Sequence, residues 1–462
     1  MIRSAHAHRP LWHLLPEAAT LLAAARPRPG DLRAVRHLLT RPGAGGRLSL
    51  AGVGLWAAHR AREQTVLVDS EGVVTGTELI RLVAARAEQL RGAGAVLLHD
   101  QDDRRLVTTL VAAGVAGVDV VLLGARAGAE EVTAAEARVQ QLAATRGAGR
   151  APAVVLHSSG TTGHPHPRTQ RAVRLGQLPT VVSLAAALGA RRAEPMLVAA
   201  PVAHGHGLSA LAAAFALGAP VLLGAAARPD RGLDLMVEHR VRTWVGLPTQ
   251  LADLLHAAGE EADRMAALRR LRRVVTGSAP VPTEVVTQVH QRVGEVLVSY
   301  YGTTEAGTAT IARPADLAAA PATAGRPATG VRVQVRDQAG RLAPVGQVGQ
   351  VVLRSRWRAP GEPEWVHTKD RGRLDDSGRL LLAGRSDDAV LVGGHVVHLA
   401  AVTSWLRNHP EVQQVQVRAV PHERLGSALE ARVRSTGSLA ALHAQARAAL
   451  GDAAAPRLLL PW

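Results

Sequence analysis

From about residue 65 the chain alternates short apolar runs with amphipathic segments, and this alternation restricts the fold more than any other feature. Thr65 to Asp69 and Val73-Val74 read as a hairpin around Glu71-Gly72. Thr75-Gly76-Thr77-Glu78 has capping-box spacing and opens a helix to about Leu90. Ala95 to His99 reads as a strand, Arg104 to Ala113 as a helix and Val118 to Leu123 as a buried strand. The pattern returns with a helix near 172–188, a strand at Met196 to Ala199, a helix at 208–217 and a strand at Val221 to Leu223. Strand–helix alternation of this kind predicts an α/β fold with mostly parallel, doubly wound sheets. From about residue 325 the texture changes to short strands, Val331 to Val335 and Val351 to Leu353, with Gly-rich turns, which predicts a small antiparallel β-subdomain. Helix candidates at 399–407 and 438–450 among a few strands predict a small, mobile α+β domain. The polar run Arg385-Ser386-Asp387-Asp388 marks its start. The expected organisation is a large domain over 1–384, built of two doubly wound α/β subdomains plus the small β-subdomain, and a small domain over 385–462.

Composition narrows the function. The 462 residues include no cysteine, so no disulfide, thiolate metal site or cysteine nucleophile is possible, and a cytoplasmic location fits. The net charge of +16 invites a nucleic-acid reading. However, 53 of the 54 basic residues are arginine, spread along the chain with no basic stripe interleaved with aromatics. No nucleic-acid partner is expected, and at most peripheral contact with an anionic membrane. Met1 to Pro10 is polar, so no secretory signal is expected. Pro220 interrupts the uncharged run Gly207 to Ala227, which reads as a buried helix followed by a strand rather than a membrane span.

Five segments carry chemistry. Val154-Val155-Leu156 leads into Ser158-Ser159-Gly160-Thr161-Thr162-Gly163, where two glycines permit a tight backbone and the amides and hydroxyls offer donors to polyphosphate oxygens. No Gly-Lys-Ser/Thr follows, so it is not a Walker A loop, and taken alone it reads more readily as an ordinary turn. Gly277-Ser278-Ala279-Pro280 follows Val274-Val275 and is either a turn or a backbone wall against a flat ring. Tyr300-Tyr301-Gly302-Thr303-Thr304-Glu305 holds both tyrosines of the chain, and a carboxylate there suits Mg²⁺ beside phosphates or is an exposed turn residue. Asp370, in Thr368-Lys369-Asp370, suits a bidentate grip on ribose hydroxyls with Arg385 adding a donor; the bland alternative is a surface ion pair. His204 and His206 make a His-x-His pair, which reads more readily as loop histidines than as a metal site.

In this order and spacing, from roughly Ala51 onward, the segments resemble the adenylate-forming (AMP-binding) superfamily of acyl-CoA synthetases, peptide-synthetase adenylation domains and luciferases. Within it the chain is similar to actinobacterial fatty-acid CoA ligases. The resemblance implies ATP, Mg²⁺ and CoA as cofactors. It implies that a fatty acid or other aliphatic acid is activated to acyl-AMP and passed to CoA or an acyl carrier protein. Ser158 to Gly163 then match the phosphate loop, Gly277 to Pro280 the adenine wall and Tyr301 the residue stacking on adenine, followed by Gly302 and Thr303. Thr304 matches the α-phosphate contact and Glu305 the Mg²⁺ ligand. Asp370 and Arg385 match the ribose grip, Asp387 the hinge, and His204 a histidine beside the acyl carboxylate. Gly393 and Gly394 match a loop bordering the pantetheine tunnel.

Departures from the family pattern qualify what it implies. His166-Pro167 stand where a Lys-Gly pair is usual, with Arg168 next to them, and His395 replaces a Glu. The only lysine, Lys369, adjoins the ribose aspartate, and the sequence reaches Pro461-Trp462 without the family's final Gly-Lys segment. Losing such a charge-assisted donor costs on the order of 10²–10³ in rate. The alternative reading is therefore a relative that binds nucleotide or acyl-AMP with little or no turnover.

Overall fold

The run Asp-Val-Val-Leu-Leu-Gly at 119–124 is buried along nearly its whole length, as a parallel strand covered on both faces must be. It is the centre of the first unit of the chain, in a computed structural model that describes residues 49–100, 102–124, 127–145, 152–158, 166–170, 177–189, 193–224, 228–303, 305–358, 361–386 and 389–462. That unit contains α1 (Leu50–Arg60), β1 (Thr65–Asp69), β2 (Gly72–Thr75), α2 (Gly76–Gln89), β3 (Ala95–Asp100), α3 (Arg104–Ala116), β4 (Asp119–Gly124), α4 (Ala129–Ala144), β5 (Val154–Ser158) and β6 (His166–Gln170). The Thr75 hydroxyl accepts from the Glu78 amide at 3.3 Å and starts α2 where the sequence placed it. Asp103 caps α3, accepting from the amides of Arg105 and Leu106 at 2.8 and 3.1 Å.

The second unit holds α5 (Leu178–Leu188), β7 (Met196–Val198), α6 (Gly205–Leu217), β8 (Val221–Leu222), α7 (Pro229–Glu238), β9 (Thr243–Gly246), α8 (Pro248–Ala258), α9 (Ala262–Arg269), β10 (Arg273–Gly277), α10 (Thr283–Arg292) and β11 (Leu297–Thr303). After it come β12 (Gly307–Ala312), α11 (Pro314–Ala319), β13 (Thr323–Pro327), β14 (Arg332–Arg336), β15 (Gly349–Arg354), β16 (Val366–Leu374) and β17 (Leu380–Arg385). The last stretch comprises β18 (Ala389–Val392), β19 (His395–His398), α12 (Leu399–Arg407), β20 (Val412–His422), β21 (Gly426–Ser435), α13 (Leu439–Ala454) and β22 (Leu458–Pro461).

Two sheets carry the described residues from 49 to 385. In the smaller, β3, β4 and β5 are parallel and β6 pairs antiparallel to β5, with Ser158 opposite His166. The larger runs β2-β1-β8-β7-β9-β10-β11-β12-β13-β17-β16-β15-β14, parallel from β1 to β11 and antiparallel at both ends. One apolar core joins both sheets through α1, α2, α3 and α6, and a second backs the large sheet through α7 to α10. The last stretch, from β18 on, has its own core around Val402, Leu406, Leu429 and Leu442.

Two features depart from the sequence reading. The strand β6, which pairs antiparallel to β5, was not anticipated. The small β-subdomain is continuous with the large sheet. Gly325 makes the join: at φ +89° it lies so close to β12 that a Cβ there would sit 2.1 Å from Ile311 C and Ala312 N. The later half of β13 can thereby pair with β12 while its first half pairs with β17.

The two sheets are also tied by charge. Asp69, at the end of β1 and buried, accepts from the Arg104 backbone amide (2.9 Å), Nε (2.9 Å) and Nη2 (2.5 Å) at the start of α3. Burial alone would raise its carboxyl, but Arg104 outweighs it and holds the group below its ordinary range. Its stabilising contribution is therefore present above the ordinary carboxylate pKa and lost as pH falls through the lowered value. Asp69→Ala removes the buried anion of Arg104, leaving it, among the described residues, only the half-exposed Glu71 at 3.5 Å, and is predicted to cost about 3–5 kcal/mol in chemical denaturation. A loss below about 1 kcal/mol contradicts the assignment.

Candidate functional site

β10 and β11 lie parallel with Thr276 opposite Ser299 and Gly277 opposite Tyr300, so the two glycine-containing segments leave the sheet side by side. A Cβ on Gly277 would meet the Tyr300 ring at 2.8 Å, so only glycine lets that ring lie against the strand end. Ser278 takes φ +66°, turning the chain sharply into Ala279-Pro280. Gly302 is packed equally closely, with Gly307 O 2.4 Å from its would-be Cβ, and the Thr303 hydroxyl accepts from the Ala306 amide at 3.2 Å. These two contacts close the turn that carries Glu305.

Across the cleft, β16 alternates buried and exposed residues, which directs Asp370 inward and Lys369 to the opposite, exposed side. Asp370 sits opposite Arg385 in the ladder. Tyr301 Oη donates to Asp370 Oδ2 at 2.7 Å, and Arg385 Nη1 donates to Oδ1 at 3.3 Å. Burial and the adjacent Asp370 carboxylate hold the Tyr301 phenol well above its ordinary pKa. The hydroxyl is thus a fixed donor. A carboxylate accepts about four hydrogen bonds. Its two oxygens are acceptors of the kind to which two adjacent hydroxyls can donate.

The cleft, of about 2330 Å³, is lined by Ser278, Ala279, Tyr301, Glu305, Asp370 and Arg385, and also by His204. His204 occupies the N-cap position of α6. It is open to the cleft yet hemmed in by protein, and this enclosure together with nearby His395 lowers its pKa. Gly393 and Gly394 form the turn between β18 and β19. A Cβ on Gly394 would stand 3.9 Å from Ala279 Cβ, and one on Gly393 3.7 Å from Thr249 Cγ2.

The structure thus brings together Gly277 to Pro280, Tyr301 to Thr303, Glu305, Asp370, Arg385, His204, Gly393 and Gly394. Ser158 ends β5, whose neighbour β4 lines the same cleft with Val120 and Gly124. Ser159 to Gly163, Thr304 and Asp387 lie outside the described residues. Arg168 stands on β6 opposite Leu156. Lys369 does not join Asp370 on the inner face, because successive side chains of a strand point to opposite sides.

Two buried polar arrangements were not read from the sequence. Tyr300 Oη contacts His206 Nδ1, with ring centroids 5.0 Å apart. Burial pushes His206 down to about 4 and raises the Tyr300 phenol. With the phenol protonated and the imidazole neutral, the hydroxyl donates and Nδ1 accepts. No hydrogen bond to Nε2 forms among the described residues, although the nearby Gly246 carbonyl favours a proton there. Asp102 accepts from the Val202 amide through both oxygens, at 3.0 and 3.2 Å, and burial pushes its carboxyl up to about 6. No local sequence pattern marks either arrangement, because the partners are about 100 positions apart.

These shifts have opposite consequences. His206 refuses a proton that the unfolded chain accepts, so stability falls as pH drops from about 6.5 to about 4; Asp102 works the other way as pH rises from about 4 to about 6. His206→Gln is predicted to remove roughly 3 kcal/mol of acid-side loss relative to the parent between pH 7 and 4, measured by chemical denaturation. Parallel curves for parent and variant contradict a neutral, buried His206.

Comparison with known proteins agrees with this geometry. The family described as AMP-binding enzyme matches residues 56–361. The chain is similar to the medium-chain fatty-acid–CoA ligase of Escherichia coli K12, with 29% identity over 292 residues, 59% of this chain and 50% of that protein. It is similar to the feruloyl-CoA synthase of Amycolatopsis, with 28% identity over 436 residues, 81% of this chain and 87% of that protein. The match thus spans half the length of the first relative and most of the second. Among solved structures, the amide bond synthetase McbA from Marinactinospora thermotolerans superposes with a TM-score of 0.70 at 24% identity, covering 88% of this chain and 95% of that one. The o-succinylbenzoate CoA synthetase MenE from Bacillus subtilis gives 0.72 at 21% identity, covering 89% and 94%. At these identities the structural likeness is one of fold.

Proposed function

The chain belongs to the AMP-binding enzyme family, and from that premise we propose that it activates an aliphatic carboxylic acid with ATP and passes the acyl group to CoA. The observation that carries this reading is the Asp370 carboxylate, held by Tyr301 and Arg385, in the same cleft as an apolar channel. The same cleft is lined by the apolar residues Leu110, Gly114, Val118, Leu184, Leu188 and Ala213, which we take as the acyl channel, and Asp102 lines it as well. Such a channel suits a fatty or other aliphatic chain, of medium or greater length.

In the first step a carboxylate oxygen attacks the α-phosphorus of ATP, the bond to pyrophosphate breaks and acyl-AMP forms. Tyr301 and the Gly277 to Pro280 segment would flank the adenine, and Asp370 would hold the ribose hydroxyls. The Ser158 to Gly163 loop and Thr304 would receive the phosphates. His204, with its lowered pKa, stays neutral at pH 7 and offers the substrate carboxylate an N–H donor. Glu305 fits Mg²⁺ as a single carboxylate lining the cleft, since that ion commonly takes one or two carboxylates together with water and phosphate oxygens. The ion would supply charge neutralisation on the phosphates. In the second step the CoA thiol attacks the acyl carbon and AMP leaves, after residues 385–462 rotate about Asp387. The acceptor chain would approach past Gly393 and Gly394. A location in the cytoplasm accords with these cofactors, and no described helix is long and apolar enough to cross a membrane.

ATP–pyrophosphate exchange across a panel of fatty acids tests the reading: exchange should depend on both acid and Mg²⁺. ATP binding without exchange for any acid would favour the non-catalytic alternative. Glu305→Gln should abolish Mg²⁺-dependent exchange while leaving the melting temperature unchanged; equal losses in both would refute the metal assignment. Ala213→Trp should block the channel. Each excluded methylene is worth about 0.8 kcal/mol, so exchange with acids of about eight carbons or more should fall at least ~10-fold while that with the shortest acids persists. A uniform fall for all acids contradicts the channel.

A further inference from the structure

The stretch from β18 onward rests on its own core, so what seats it over the cleft decides whether the Gly393–His395 turn can act there. A side-chain bridge spans the two parts. Arg424 Nη1, in the turn between β20 and β21, donates to Asp253 Oδ1 at 3.0 Å and Oδ2 at 2.8 Å on α8. The turn is built to present it: His422 Nδ1 accepts from the amides of both Arg424 and Leu425, at 3.2 and 3.3 Å. The Leu425 carbonyl then accepts from the Gly393 amide at 3.0 Å, and a Cβ on Gly393 would meet Leu425 Cδ2 at 3.1 Å. One residue after the bridge, therefore, the same turn holds the glycine loop. That loop in turn lies against Ala279 and Thr249, the latter on α8 with Asp253.

We propose that Asp253 and Arg424 are positioning residues for the acyl-transfer half-reaction: their bridge, relayed through the 422–425 turn, seats the Gly393–His395 loop at the cleft. The inference rests on the ligase reading. The bridge is suited to a contact that must form and break in each cycle. Its side chains are 43% and 34% exposed, and a pair so solvated shifts an equilibrium by only about two- to five-fold. A buried pair would lock the arrangement and stop rotation.

The test uses the full chain with Asp253→Arg, Arg424→Asp and the double charge swap, and reads the two half-reactions separately. Transfer from preformed acyl-AMP to CoA should fall about five-fold or more in each single variant and return to within about two-fold of the parent in the swap. Exchange of pyrophosphate should stay level or rise. Unchanged transfer in the single variants, or a swap that restores nothing, overturns the proposal. Asp253→Asn, with a milder fall of about two-fold, guards against loss of folding. Because the chain has no cysteine, spin labels at Ala262→Cys and Ala444→Cys give a readout independent of catalysis. The inter-label distance distribution of the parent should change in each single variant and return in the swap. If the distances respond while neither half-reaction occurs even in the parent, the ligase reading fails and the seating stands. If the parent is active and the distances do not respond, the seating fails alone.

Discussion

The parallel register of β10 against β11 is the constraint on which the site depends. With Gly277 opposite Tyr300, the chain leaves β10 along the face of an aromatic ring, and the next residue of β11, Tyr301, points to Asp370. A slip of one residue would exchange the two tyrosines between faces. Tyr301 would then lose its carboxylate, and Tyr300 would lose the histidine that accepts its hydroxyl. Gly277 is fixed by the same geometry, because any side chain there would occupy the volume of the Tyr300 ring.

Around this register the protein buries charge only where a partner answers it. Asp370 is shared between a neutral phenol and a guanidinium, and Asp69 is held by three Arg104 donors. Where only one backbone amide answers, as at Asp102, desolvation wins and the carboxyl rises to about 6. Neutral hydrogen-bonding groups therefore also line the cleft, with His204 and His206 both depressed. An apolar acyl chain can lie along these neutral groups. Asp370 and Arg385 supply the cleft with ionic groups where a nucleotide would bring its own.

Much of this was legible because strand ends announce themselves. An apolar run that stops at glycine and hydroxyl residues is visible in one dimension, and three such stops, ahead of Gly160, Gly277 and Gly302, indicated strand ends at one cleft. What escaped the sequence were contacts between distant positions. Tyr300 and His206 are 94 residues apart and Arg424 and Asp253 171, with no local pattern linking either pair. The strand β6 carries His166-Pro167, and proline argues against a strand unless it lies at an edge, which is where β6 lies. The fusion of the β-subdomain to the large sheet depends on the close approach at Gly325, one glycine among 45. Lys369 drew attention as the only lysine, but strand alternation turns it away from Asp370.

The central claim is that Asp370 grips the ribose while Tyr301 and Arg385 hold it in place. Affinity for ATP, compared with ATP lacking its ribose hydroxyls, tests this most directly in the parent and in Asp370→Asn. Hydrogen bonds to a charged group are worth about 1.5–3 kcal/mol. The parent should accordingly bind the dideoxy nucleotide about 10- to 100-fold more weakly than ATP, and the variant should bind the two with nearly equal affinity. Equal discrimination in parent and variant would show that the diol is held elsewhere, and the account of the site would be wrong.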